Sequence, residues 1–150
     1  MAMKSEGAGS RDPDTSGGAG HGGQRSPIVW QVLSALLLLA MGGIHLYLHV
    51  FRGAGGLIGV LFVLNAIGGL VLAIAMLTAR RRLLRLASLL SLLFMAGTLL
   101  ALVLALTVSL FGIRQQLGGE LVVTTLVVES IGTIVLVVTT AQVFRMRREA

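Results

Sequence analysis

The chain has 150 residues, of which 55% are hydrophobic and 12% are charged, and its mean hydropathy is +0.93. Because soluble domains carry about 25% charged residues, this composition excludes an ordinary soluble domain and indicates an all-α integral membrane protein. The net charge of +6 comes from basic residues at the ends of apolar segments, which predicts no nucleic-acid partner. The absence of cysteine excludes disulfides, iron–sulfur ligation and thiol catalysis.

Residues 1–26 are rich in Gly, Ser, Asp and Arg and contain almost no apolar side chains. Such a segment cannot bury enough apolar surface to offset the entropy of ordering it. We therefore predict a disordered cytoplasmic tail. Disordered segments can fold on binding, so a docking tail for a cytoplasmic partner stays open as an alternative.

The first apolar run follows Pro27, a residue favoured at the first position of a helix because it lacks an N–H that would go unsatisfied there. Residues 28–51 are long enough to span a hydrocarbon core of ~30 Å. A cleaved signal peptide over residues 28–40 is the alternative, but the preceding tail is too long and too acidic for it. Three further spans are predicted at about residues 57–78, 86–111 and 121–144, so residues 27–144 form a four-helix transmembrane domain.

The second and third spans are separated by a compact cluster of arginines: Arg80, Arg81, Arg82 and Arg85. Arginines near the ends of spans stay on the cytoplasmic side. Ten of the twelve basic residues lie in this hinge and in the two tails, and only Arg52 and Arg114 lie in the other two loops. The sequence thus predicts an up-and-down bundle in the inner (plasma) membrane, with both termini and the basic tail at residues 145–150 in the cytoplasm, close to anionic lipid headgroups.

Small residues mark the faces where helices in lipid can approach closely. Gly55 and Gly59 form one such pair, and Gly69 and Ala73 form another. On the third span, Ser88 and Ser91 are expected to bond to the backbone of their own helix.

Polar residues within the apolar spans are the candidates for a functional site. His45, His49 and Arg52 lie at i, i+4 and i+7, and thus on one stripe of the first helix. Asn65, Glu129 and Thr107 reach about the same depth on the other helices, whereas the cytoplasmic half is predicted to be almost wholly apolar. A buried carboxylate needs a partner, so we expect Glu129 to pair with His45, with Asn65 bridging them.

Three interpretations of these residues remain open. Polar side chains in membrane bundles often only fix helix register through hydrogen bonds of ~0.6–2 kcal/mol. Alternatively, His45, His49, Asn65, Thr107 and Glu129 form an outward-facing pocket for a small ligand or a proton. Third, His45, His49 and Glu129 form a zinc or copper site, a pattern that the two histidines alone support only weakly. The sequence contains no catalytic triad, P-loop or dinucleotide fingerprint, so we predict no catalytic residue, and the pattern identifies no cofactor.

Three short segments carry a resemblance: residues 43–48 (GIHLYL), 58–66 (IGVLFVLNA) and 107–112 (TVSLFG). They resemble an uncharacterised family of small four-helix integral membrane proteins of actinobacterial type. The resemblance implies the same fold and polar side chains at the positions of His45, Asn65 and Glu129. The first loop departs from the family pattern, because it is glycine-rich at residues 53–56 instead of carrying an aromatic residue and a proline.

The sequence therefore predicts a non-enzymatic multi-pass membrane protein, an accessory or small-ligand-binding subunit with an outward-facing polar pocket. A small transporter or channel acting as an oligomer is one alternative, and a metal-dependent membrane redox protein is another. The expected partners are the lipid bilayer and either further copies of this chain or another membrane protein.

Overall fold

The computed structural model describes residues 27–108 and 121–145, so the two predicted tails beyond these ranges and the end of the third predicted span lie outside the described residues. The described residues form four α-helices, α1 (Pro27–Phe51), α2 (Gly56–Thr78), α3 (Arg81–Thr107) and α4 (Val122–Arg145). All four are long and apolar enough to cross a membrane. Even α2, with 23 residues, is about 35 Å long at the standard helical rise. The predicted all-helical class with four helices is confirmed.

Helix α3 begins at Arg81, ahead of the predicted start at residue 86. The turn between α2 and α3 is made by the extended backbone of Ala79 (ψ 133°) and Arg80 (ψ 156°) alone. The arginines that follow Arg80 therefore belong to the first turns of α3. A hydropathy profile places the boundary too late because helical geometry tolerates arginine, whereas an apolar window does not.

The helices are arranged in a ring in which each is antiparallel to its neighbours. We call the end containing residues 52–55 the loop end and the end containing Ala79 and Arg80 the hinge end. The contacts run in opposite chain directions for α1–α2 and for α3–α4, and the two-residue turn reverses the chain between α2 and α3, so α1 and α4 are antiparallel as well. The facing residues are Leu38 and Gly69 for α1–α2, Gly68 and Phe94 for α2–α3, Met95 and Gly132 for α3–α4, and Ser34 and Thr139 for α1–α4.

The α1–α2 pair packs most closely and depends on small residues. A Cβ at Gly69 would lie 2.8 Å from the Leu38 carbonyl oxygen, and one at Gly42 would lie 3.2 Å from the Ala66 carbonyl oxygen. Gly59, Gly69 and Ala73 are buried, as the small-residue pattern predicts. Gly55 is exposed and caps the N-terminus of α2 instead.

The α2–α3 pair makes the least contact of the four. Its closest point is the Phe94 ring, whose tip would lie 2.7 Å from a Cβ at Gly68. Toward the loop end of that contact, the two helices separate. This gap leads to the cavity described below.

A fully buried apolar layer crosses the middle of the bundle, formed by Leu38, Met41, Met95 and Leu136. The hinge-end half was predicted to be almost wholly apolar, but three hydroxyl side chains are buried there, Ser34, Ser88 and Thr139, and a fourth, Ser91, is buried level with Leu136 in the layer. Their small volume lets helices approach, and most hydroxyls find a backbone or cross-helix partner, which keeps the cost of burial low. Ser88 bonds to the Arg85 carbonyl at 3.0 Å, as expected. Ser91, in contrast, has no partner in the described part of the chain.

Candidate ligand-binding cavity

A cavity of about 590 Å³ lies in the loop-end half of the bundle and is bordered by all four helices. Most of its lining is apolar side chains of α2 and α3. Five polar side chains share it: His45 from α1, Asn65 from α2, Thr98 from α3, and Thr125 and Glu129 from α4. An apolar cavity with a few convergent polar groups is the usual form of a small-molecule site in a protein.

Glu129 is the deepest polar group of the cavity, with only 1% of its surface exposed. Neither of its carboxyl oxygens has a hydrogen-bond partner among the described residues. Its backbone carbonyl is satisfied twice, by the helix and by the Thr133 hydroxyl at 2.7 Å. Burying a polar group without a hydrogen-bond partner costs free energy, so this carboxyl lowers the stability of the bundle unless another molecule binds it.

His45 faces the same cavity from α1 and is 7% exposed. Its Nδ1 donates a hydrogen bond to the Met41 carbonyl oxygen at 2.9 Å, since a carbonyl can only accept. The ring meets Phe62 edge to face, with the ring centroids 5.1 Å apart. In the neutral ring, Nε2 is left as an acceptor.

The structure therefore brings His45, Asn65 and Glu129 to one cavity, as their common depth predicts. It does not form the predicted pair, because Glu129 accepts no hydrogen bond from either of the other two. The bond to Met41 explains the difference. His45 satisfies its donor within its own helix, so its ring is not held toward Glu129.

Two cavity residues were missed in the sequence: Thr98 and Thr125. Thr98 donates to the Met95 carbonyl at 2.8 Å, and Thr125 donates to the Leu121 carbonyl at 2.8 Å. Both hydroxyls keep lone pairs that can accept a hydrogen bond from a ligand. Helical spacing could have identified Thr125, which precedes Glu129 by one turn and so shares its face.

His49 and Thr107 lie apart from this cavity. His49 borders a second, smaller cavity between α1 and α2, and its Nδ1 donates to the Ala54 carbonyl oxygen at 3.0 Å. That bond holds the short loop against α1, and Gly53 (φ +65°) supplies the left-handed backbone that the loop requires. Thr107 is exposed and donates to the Val103 carbonyl at 2.8 Å.

The metal hypothesis needs three ligands in one place. Within residues 27–108 and 121–145, no group of three or more His, Cys, Asp or Glu side chains is placed to hold a metal ion. His45 and Glu129 share a cavity, whereas the Nδ1 of His49 is bonded to the loop.

Comparisons of the chain with protein-family models, with curated proteins and with solved structures give no match. The geometry defines a bundle of four helices, each long and apolar enough to cross a membrane, with a cavity that is lined by apolar residues and a few polar side chains.

Proposed function

We propose that this protein is a non-enzymatic, multi-pass membrane protein, an accessory or small-ligand-binding subunit whose cavity receives a small molecule. The observation that carries the proposal is the buried carboxyl of Glu129, which faces the cavity without a partner in the described part of the chain. Buried polar groups in proteins nearly always have partners, and exceptions concentrate at functional sites. A bound molecule would supply the missing hydrogen bonds.

We further propose that both termini lie in the cytoplasm, which places the cavity in the half of the bundle nearer the outer side of the plasma membrane. The basic hinge at Arg80, Arg81, Arg82 and Arg85 supports this orientation through the positive-inside rule. The same basic residues favour anionic lipid headgroups at the cytoplasmic surface. A chain of this size gains buried area by association, so further copies of itself or another membrane protein are its expected partners.

A purely structural role for the cavity residues is less well supported. Hydrogen bonds that fix helix register connect different helices, and the described chain makes such bonds at the hinge end. There Ser34 and Thr139 are 2.9 Å apart, and Thr140 donates to the Ser88 carbonyl at 3.3 Å. The hydrogen bonds of Thr98, Thr125 and His45 instead run to the backbone carbonyls of Met95, Leu121 and Met41, about one turn away along the same chain segment.

The transporter or channel alternative requires a polar path across the bundle. In one chain, the fully buried apolar side chains Leu38, Met41, Met95 and Leu136 lie between the cavity and the Ser34–Thr139 contact at the hinge end. A path would therefore have to run between subunits, which makes this a weaker proposal than a binding role.

The test is native mass spectrometry of the protein purified in mild detergent, together with elemental analysis. We expect the wild-type protein to retain a small molecule that the Glu129→Gln variant and the His45→Ala/Glu129→Ala double variant lose. Ser34→Ala is the matched control, because it removes a buried polar group outside the cavity and should leave the bound molecule in place. A wild-type chain without any bound molecule, and with the same assembly state as the variants, would contradict the binding role.

A further inference from the structure

The hydrogen-bonding groups around the cavity are mostly acceptors. The hydroxyl protons of Thr98 and Thr125 are already donated to their own helices, and so is the Nδ1 proton of His45. The acceptors that remain are the hydroxyl oxygens of Thr98 and Thr125, Nε2 of His45, and the two unpartnered carboxyl oxygens of Glu129. Asn65 is the exception, because its amide can both donate and accept. A complementary ligand must therefore bring several donors.

The charge of the cavity lining also favours a ligand that carries several hydrogen-bond donors. Among residues 27–108 and 121–145, its lining contains one acidic side chain, Glu129, and no lysine or arginine. An ammonium group carries three donors and the opposite charge, and it forms strong charge-assisted bonds with a carboxylate. Phe62 and Phe94 also line the cavity, and aromatic rings attract cations. A neutral hydroxyl compound offers one donor and no charge.

The remaining lining is apolar and reaches the surface between α2 and α3. Leu61 and Leu64 on α2 and Leu93 on α3 border the cavity and are 39%, 57% and 61% exposed. Between them Gly97 presents no side chain, and a Cβ built there would meet nothing within 4 Å. Toward the hinge end, the contact of Phe94 with Gly68 closes the gap. The gap therefore faces the hydrocarbon side of a membrane-spanning bundle.

We infer that the cavity binds a lipophilic amine taken from the bilayer through the gap between α2 and α3, with its ammonium group on Glu129. This inference rests on the proposed binding function and names the class of ligand and its route. The apolar part of the molecule lies against the side chains of α2 and α3.

The test uses two probes of equal length, 4-phenylbutylamine and the neutral 4-phenylbutan-1-ol. Equilibrium binding is measured on protein in phosphatidylcholine nanodiscs after subtraction of the signal from protein-free nanodiscs. We expect the wild-type protein to bind the amine about tenfold more tightly than the alcohol, a difference of ~1.4 kcal/mol. Glu129→Gln should abolish that preference while retaining the helical content and the elution volume of the wild type.

The route is tested with a matched pair of glycine variants. Gly97→Phe places a ring in the gap and should weaken amine binding about tenfold, an effect of ~1.4 kcal/mol. Gly43→Phe is the control, because a Cβ at Gly43 likewise meets nothing within 4 Å and Gly43 is exposed away from the cavity. Equal affinities of the two variants would overturn the proposed route.

The ligand class fails if the alcohol binds as tightly as the amine, if Glu129→Gln retains the preference for the amine, or if neither probe binds. These outcomes are distinct from failure of the binding function itself. That function is judged by whether native mass spectrometry finds a retained molecule, whatever its chemistry.

Discussion

Replacing Glu129 with leucine should make the ligand-free protein more stable. The side chain is 1% exposed, and both carboxyl oxygens lack a hydrogen-bond partner among the described residues. A buried polar group without a partner costs ~1–3 kcal/mol. Leucine removes that cost, because its side chain has no hydrogen-bonding group and the cavity lining is already largely apolar. We therefore expect the free energy of unfolding to rise by ~1–3 kcal/mol.

The assay is reversible unfolding in mixed micelles titrated with dodecyl sulfate, followed by far-UV circular dichroism. Glu129→Gln should change stability less than Glu129→Leu, because an amide is still a polar group in the same position. Ser34→Ala is the control for a substitution that lowers the free energy of unfolding. It removes the 2.9 Å contact with Thr139 and should lower stability by ~0.6–2 kcal/mol, as expected for a hydrogen bond between membrane helices.

A clear loss of stability in Glu129→Leu, equal to or larger than that of Ser34→Ala, would refute this reasoning. It would mean that the carboxyl has a partner and fixes helix register. A gain in stability combined with loss of the bound molecule would instead match the usual exchange between stability and function at binding sites.

Three further predictions concern topology, packing and the limits of the cavity. Reporter fusions should be active in the cytoplasm when joined after Arg82 and on the outer side when joined after Ala54, and the reverse pattern would overturn the proposed orientation. Gly69→Val should separate α1 from α2 and lower the free energy of unfolding by ~1–3 kcal/mol, because its Cβ meets the Leu38 carbonyl oxygen. Gly43→Ala, whose Cβ points into open space, should leave that free energy unchanged or raise it by ~0.5–1 kcal/mol. Equal effects of the two variants in the dodecyl sulfate titration would contradict the α1–α2 packing. Thr107→Val should leave retention of the bound molecule unchanged by native mass spectrometry, since Thr107 is exposed and bonds to its own helix; its loss would restore Thr107 to the pocket.

The parts of the fold that were predicted correctly depend on short-range properties of the sequence. Length and hydropathy identify four helices because each helix satisfies its own backbone. The constant rise per residue places His45, Asn65 and Glu129 at one depth before any contact is known. Gly69 and Ala73 were identified as packing residues because close approach requires small side chains wherever the partner lies.

What was missed depends on contacts between particular atoms. Nothing in the sequence pattern says that the donor of His45 is taken by the Met41 carbonyl, so the sequence could not show that this donor is unavailable to Glu129. Likewise, Thr98 and Thr107 look alike in sequence, yet only Thr98 faces the cavity. Which face of α3 points inward is decided by its packing against α4, at the contact between Met95 and Gly132.

The two halves of the bundle use polar side chains in opposite ways. At the hinge end, Ser34 and Thr139 face each other across two helices and help to hold them together. At the loop end, the hydrogen bonds of Thr98, Thr125 and His45 run to backbone carbonyls of the same segment of chain instead of joining two helices. Since an unpartnered carboxyl in apolar surroundings costs stability, a bundle that needed only to hold together would be better served by leucine at position 129. A ligand that enters from the lipid and donates hydrogen bonds to Glu129 would account both for the unpartnered carboxyl and for the gap beside Gly97.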